Sequence, residues 1–147
     1  MAPVSYTAIH VDAVPERVFA ILSDPRSFGD WVVGSDTIRD ADAHWPAPGS
    51  RFHHTVGTGP LKIRDHTEVL ESHPPNRLVL RARARPLGTA LVTLTIVRER
   101  EGSEIIMHEQ AADPASKLLF NPIAQPLLHL RNVESLRRLK RLVEQST

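Results

Sequence analysis

The sequence predicts an α+β fold in which a seven-stranded, curved antiparallel sheet wraps around one long C-terminal helix. Three observations predict it. The stretch PLLHLRNVESLRRLKRLVEQ, Pro126 to Gln145, reads as a long amphipathic helix. Between Thr37 and Ala111 the chain has a strand rhythm, broken by PAPG, GTGP, SHPPN, PLG and REGS. Each break is a turn by its own glycine or proline chemistry. Connections this short join only antiparallel neighbours, because a parallel pair requires a crossover. The third observation is order: a sheet of this size cannot leave both faces wet, and the C-terminal helix is the only element long enough to cover one.

Tyr6 to Val11 is β-rich and opens the chain as its first strand. A helix starts at Pro15, a residue suited to the first helical turn, and Val18, Phe19, Ile21 and Leu22 give it an apolar face. Asp24-Pro25 ends it. A second short helix, roughly Arg26 to Trp31, places Phe28 and Trp31 on one side. These two short helices lie between strands 1 and 2. Six strands follow, near Thr37–Arg39, Arg51–Val56, Leu61–Leu70, Arg77–Ala84, Ala90–Arg98 and Glu104–Ala111. From about Asp113 to Pro126 the chain is proline-rich and irregular, and then the long helix begins.

That helix carries an anomaly. With Leu136 as reference, His129, Asn132, Leu139 and Val143 fall within about 60° of it on the helical wheel. Arg131, Glu134, Arg138 and Arg141 fall on the opposite side. The core-facing stripe is therefore polar in its first half and aliphatic in its second. A stripe that packs flush on a sheet has no use for the polar pair, whereas one that roofs a cavity does.

Composition sets limits. The 147 residues suit one domain, 1–147, enough to bury about 70% of the unfolded surface. A net charge of +1 gives no support for a whole-surface nucleic-acid or membrane binder. Without cysteine there is no disulfide, no thiolate catalysis and no thiolate metal site, which fits a reducing cytoplasm. The N-terminal MAPVSYTAIHV lacks a basic region followed by a long apolar run, so no signal peptide is expected. No aliphatic stretch approaches the ~18 residues of a membrane span.

The segments VPERVFAILSDPRSFGDW, PGSRF, EVLESHPPNRLVLRARA and GSEIIMHE, followed by the terminal helix, resemble the SRPBCC superfamily. More narrowly they resemble its bacterial polyketide cyclase/dehydrase-type members. The resemblance covers nearly the whole chain in the right order. It implies the helix-grip fold of START lipid-transfer domains, with the aspartate-proline stopping the first helix and the tryptophan shaping the pocket mouth. It also implies a lipid, polyketide, hormone or flavonoid-like ligand, and in some members cyclisation or dehydration. Fold analogy does not choose among these.

Strand parity indicates which side chains face inward. Leu78, Leu80, Ala82 and Ala84 form one set, against Arg81, Arg83 and Arg85. Ala90, Val92, Leu94 and Ile96 form the next, against Thr93 and Thr95. Ile105 and Met107 bring Glu109 with them; the competing phase brings Ile106 and His108. Phe52 and Val56 bring His54. Leu61, Ile63 and Val69 bring Asp65 and Thr67, unless a β-bulge swaps in His66 or Glu68.

The expected site is an aliphatic interior with a few convergent polar groups, the usual form of a small-molecule pocket. Its lining is Trp31, Phe52, His54, Thr67, Leu80, Val92, Leu94, Met107, His129, Asn132 and Leu136. Its candidate acid/base residues are His54, Asp65 and Glu109. A His54–Asp65 pair across neighbouring strands would hold the imidazole in the tautomer needed for proton abstraction beside a carbonyl. Glu109, buried in apolar surroundings, would hold its proton and could act as an acid. Structural roles compete with each of these. His54 and Asp65 can be a structural polar pair, and Glu109 a solvated strand-end carboxylate. His129 and Asn132 can bond loop carbonyls, and Trp31 can be plain core.

Other constellations carry less. His53 and His54 are adjacent on a strand and point to opposite faces, so with His66 and His108 they make no zinc site. No metal and no cofactor is expected. RARAR, Arg81 to Arg85, and RRLKR make basic surfaces, but Glu68, Glu71 and Glu99 share the sheet, so no nucleic acid is expected. GTGP opens no helix and is a hairpin turn; there is no GxSxG. Leu127 and Leu130 lie on the back of the helix, either packing on the proline-rich segment or forming a homodimer contact.

The leading functional expectation is a binder or carrier of a hydrophobic small molecule. The alternative is a cofactor-independent cyclase or dehydrase using His54, Asp65 and Glu109. A third is a regulatory protein-interaction domain without ligand, using the arginine face or the Leu127/Leu130 patch.

Overall fold

The computed structural model describes residues 4–33, 35–56, 60, 63–84, 88–113 and 125–145. Strand β1 (Val4–Val11) is followed by helix α1 (Pro15–Leu22), a 3-10 turn (Pro25–Ser27) and helix α2 (Phe28–Trp31). Then come β2 (Ser35–Ala41), β3 (Arg51–Val56), β4 (Ile63–His73), β5 (Arg77–Ala84), β6 (Gly88–Glu99) and β7 (Gly102–Ala111), and finally α3 (Gln125–Gln145). The second short helix expected from Arg26 is thus divided. Asp24 accepts the Arg26 backbone N–H at 3.0 Å and tightens the chain into a 3-10 turn before α2 begins.

One antiparallel sheet has the order β1-β7-β6-β5-β4-β3-β2. Consecutive strands from β2 to β7 are neighbours, and β1 closes the far edge against β7. The chain must therefore cross from one edge of the sheet to the other after β1, and α1 and α2 make that crossing. The curved α+β arrangement with its long terminal helix is the one read from the sequence.

The long strand β4 does contain a bulge, between Val69 and Glu71, but it comes after the inward run. Asp65, Thr67 and Val69 are all buried, so the half of the strand that matters keeps its phase. Leu61 lies outside the described residues. In the loop before β3, Gly49 has φ 88°, a left-handed conformation that favours glycine. Its N–H donates to the Val69 carbonyl at 2.8 Å, and the Val69 N–H donates to Ser50 at 2.9 Å. After β4, the turn at Pro74-Pro75-Asn76 is pinned to β6: Asn76 donates its side-chain amide to the Ile96 carbonyl at 3.0 Å and accepts the Ile96 N–H at 2.8 Å.

A single hydrophobic cluster joins Val18, Phe19 and Leu22 of α1, Leu78, Leu94, Ile96 and Ile105 of the sheet, and Leu136, Leu139 and Val143 of α3. α3 runs parallel to β1, with Asn132 against Ser5, the Lys140 ammonium on the His10 carbonyl at 2.9 Å, and Glu144 on the Asp12 N–H at 2.8 Å. The elements its backbone approaches most closely are β1, α2 and α1. On the outer sheet face the arginines are matched by glutamates: Arg81 and Arg51 lie 3.9 and 3.7 Å from Glu68, and Arg77 lies 4.0 Å from Glu71. Arg85 lies outside the described residues.

Candidate functional site

Register across the ladders sorts the inner face into rows. One row runs Phe52, Thr67, Ala82, Ala90, Ala111. The next runs Val69, Leu80, Val92, Glu109, Ser5. Beyond it lie Leu78, Leu94, Met107 and Thr7, and then Ile96, Ile105 and Ile9. The rows pass from small and polar to large and aliphatic. The stripe of α3 changes in the same sense, from Asn132 to Leu136, Leu139 and Val143. Its two-part composition therefore matches the floor beneath it.

Two polar groups sit on the small-residue side. In the first, His54 and Asp65 are direct partners across β3–β4, as the cross-strand reading expected. Nε2 of His54 shares a hydrogen bond with the Thr67 hydroxyl at 3.1 Å. Asp65 accepts the His66 backbone N–H at 3.0 Å and lies 3.8 Å from Nε of Arg83. Arg83, assigned to the outer face by parity, reaches back around the strand with its long side chain. His66 itself stays outside the inner row; burial first, then the nearby Arg51 and Arg83 charges, hold its pKa below the usual histidine value. Aromatic rings continue this group into the core: Phe28 lies within 5.6 Å of Trp31, Trp45 and Phe52, Trp45 lies 4.9 Å from Phe52, and Phe52 lies 5.4 Å from His54.

The second group is built on β7, β1 and α3. Glu109 is buried, in the phase that Ile105 and Met107 fix. Its surroundings are polar rather than apolar. Oε2 lies 3.4 Å from the Arg131 guanidinium and Oε1 accepts from the Asn132 amide at 3.4 Å. The same amide nitrogen donates to Ser5 Oγ at 3.3 Å. Arg131 falls on the back of the helical wheel and is brought in by the length of its side chain.

The structure thus gathers His54, Asp65 and Thr67 at one place and Glu109 with Asn132 at another. Three strand spacings, roughly 14 Å on a flat sheet, separate β4 from β7. Trp31, Phe52, Leu80, Val92, Leu94, Met107 and Leu136 are all buried on the inner side. His129 is not: it is exposed, against the expectation that it faces inward. Asn132 already lies over Ser5, near the start of β1, so the preceding helical turn runs past the end of the strand. Leu127 and Leu130 are exposed on the same turns. Most of the proline-rich segment, one of the two partners the sequence allows them, lies in residues 114–124, outside the described residues.

Sequence reasoning overlooked Ser5, Thr7 and Ser135. All three are buried, and Ser135 accepts the Val33 N–H at 3.0 Å, tying α2 to α3. The signal for the first two was available: Ser5, Thr7, Ile9 and Val11 alternate with Tyr6, Ala8 and His10. Several buried polar atoms lack a hydrogen-bond partner among the described residues: Thr7 Oγ1, Trp31 Nε1, Arg131 Nε and Asn132 Oδ1. Buried polar groups are ordinarily paired, so each of these calls for a reason.

A family model described as "Polyketide cyclase / dehydrase and lipid transport" matches residues 2–144. No curated protein matches the sequence significantly. Among solved structures, the chain is similar to an Arthrobacter aurescens protein at a TM-score of 0.77 and 18% identity, covering 98% of this chain and 87% of that one. A Thermus thermophilus protein gives 0.76 and 18%, covering 99% of both chains. A Rhodobacter sphaeroides protein gives 0.74 and 23%, covering 99% and 95%. At these identities the likeness shows the fold alone. No described helix is long and apolar enough to cross a membrane.

Proposed function

Since the chain belongs to the polyketide cyclase/dehydrase and lipid-transport family, we propose that it binds and carries a hydrophobic small molecule between the curved sheet and α3. A lipid, polyketide or aromatic compound is the ligand class. One observation carries this reading: the stretch Thr67, Ala82, Ala90, Ala111 is small and adjoins the row on which Glu109 and Ser5 meet the polar Asn132 of the helix. A face meant only for packing would hold large aliphatics there, as the rows through Leu94 and Ile105 do. Small side chains beside a few buried polar groups suit a guest molecule.

A second reading, a cofactor-independent cyclase or dehydrase, is favoured by one specific feature. His54 is buried, bonded to Thr67 and set directly across from Asp65, which is the order of parts needed to orient an imidazole for proton transfer. Glu109 would act at the other end of an extended substrate.

Native mass spectrometry of the purified protein, before and after organic extraction, tests the shared premise. A bound mass that extraction removes supports it. A clean mass, with no binding across a panel of fluorescent hydrophobic probes, removes it. His54→Ala then separates the readings: a carrier loses affinity modestly, whereas an enzyme loses turnover by about 100-fold or more.

A further inference from the structure

The strongest unexplained feature of the inner face is Asn132. It is 1% exposed, and its Oδ1 has no hydrogen-bond partner among the described residues. The orientation of the amide follows from its neighbours. Nδ2 faces Ser5 Oγ at 3.3 Å and Glu109 Oε1 at 3.4 Å. A carboxylate only accepts, so turning the amide over would set Oδ1 against Glu109 and lose a bond. The free atom is therefore an acceptor, and it can be satisfied only by an O–H or N–H donor.

Charge narrows the partner further. Arg131 and Glu109 already neutralise one another at 3.4 Å. An anionic ligand group would leave a buried net negative charge, and a cationic one a net positive charge, each costly away from water. Thr7, the next inward residue after Ser5 on β1, has a second orphan atom in its hydroxyl. Because α3 runs parallel to β1, Thr7 lies beside the turn that follows Asn132. The three contacts that close the cluster, at 3.3 and 3.4 Å, are all longer than the ~2.9 Å of a well-made bond, so its polar groups keep unused capacity.

We infer that the ligand presents an uncharged hydroxyl at this end of the site and that Asn132 reads it, Oδ1 accepting the ligand's O–H beside the Thr7 hydroxyl. This rests on the proposed binding function and adds its specificity: a hydroxylated hydrophobe rather than a hydrocarbon, ether or free carboxylic acid.

Titration calorimetry with 2-naphthol, 2-methoxynaphthalene and 2-naphthoate at pH 7 tests it, since the three share a ring system and differ in the polar group. The wild type should bind naphthol about 10-fold more tightly than the ether or the carboxylate, the worth of one buried hydrogen bond. Asn132→Leu should bind naphthol and ether alike while still binding both. The isosteric Thr7→Val should narrow the preference and serves if Asn132→Leu does not fold. Equal binding of naphthol and ether by the wild type overturns the hydroxyl inference and leaves the binding site standing. Preference for naphthoate overturns the requirement for a neutral group. Failure to bind any of the three removes both the inference and the binding function beneath it.

Discussion

The hydroxyl of Thr67 and Nε2 of His54 meet at 3.1 Å across the β3–β4 ladder, with both residues buried. This bond fixes one edge of an imidazole that has Asp65 directly across the ladder. Thr67→Val keeps the shape and removes the bond, so it should cost about 1–2 kcal/mol in urea unfolding, and Thr67→Ser should recover part of it. An unchanged midpoint would mean that the bond does not hold the ring.

Two glycines predict different penalties for the same substitution. A Cβ on Gly102 would overlap the Val11 carbonyl oxygen, which belongs to the backbone and cannot swing aside. Gly102→Ala should therefore cost roughly 3 kcal/mol or more, or prevent folding. At Gly49 nothing lies within 4 Å of the added carbon, and only its φ of 88° opposes a side chain. Gly49→Ala should cost about 1–2 kcal/mol. Thermal unfolding of the two variants side by side checks the order.

The two tryptophans give a second contrast. Trp45 donates its indole N–H to the carbonyl of Leu22, the last residue of α1, at 3.0 Å. Trp45→Phe should cost about 1–3 kcal/mol, beyond the change in packing, because it orphans a carbonyl at a helix end. The Trp31 N–H has no acceptor among the described residues, so Trp31→Phe should cost clearly less. Equal losses would show that packing alone sets both.

Two histidines should bend the pH dependence of stability in opposite directions. His10 bonds Glu99 and Asp12, which raise its pKa above the ordinary 6.5, hydrogen bonding to Glu99 being the largest cause. Its contribution is present below about pH 6.5 and fades as pH rises through the raised folded-state value. His10→Gln should therefore destabilise at pH 5.5 and have little effect at pH 9. His66 is shifted the other way, below 6.5. Folding then suffers as pH falls below 6.5 and the unfolded chain takes up a proton that the folded chain resists. His66→Gln should make the protein relatively more stable on the acid side. Unfolding midpoints across pH 5 to 9 read both signs.

The strand count, the order of elements, the inward phase of β3, β5 and β6, and the two-part stripe of α3 are legible in the sequence, whereas β4 and β7 each allow two phases there, and burial of Asp65, Thr67, Met107 and Glu109 picks one. The legible features are local properties: turn residues set where strands end, and a period of two sets which side chains share a face. His129 shows where that logic stops. The helical wheel places it on the stripe, but Asn132, one turn later, already lies over Ser5 near the start of β1, and His129 is exposed.

Tertiary structure alone decided the company each polar group keeps. Thr67 bonds Nε2 of His54, Arg131 reaches around its helix to Glu109, and Asn132 keeps an acceptor without a partner among the described residues. Those outcomes depend on side-chain reach and on strands far apart in sequence. The chain's own periodicity cannot encode them, because the distance from α3 to β1 is set by the packing of the whole core.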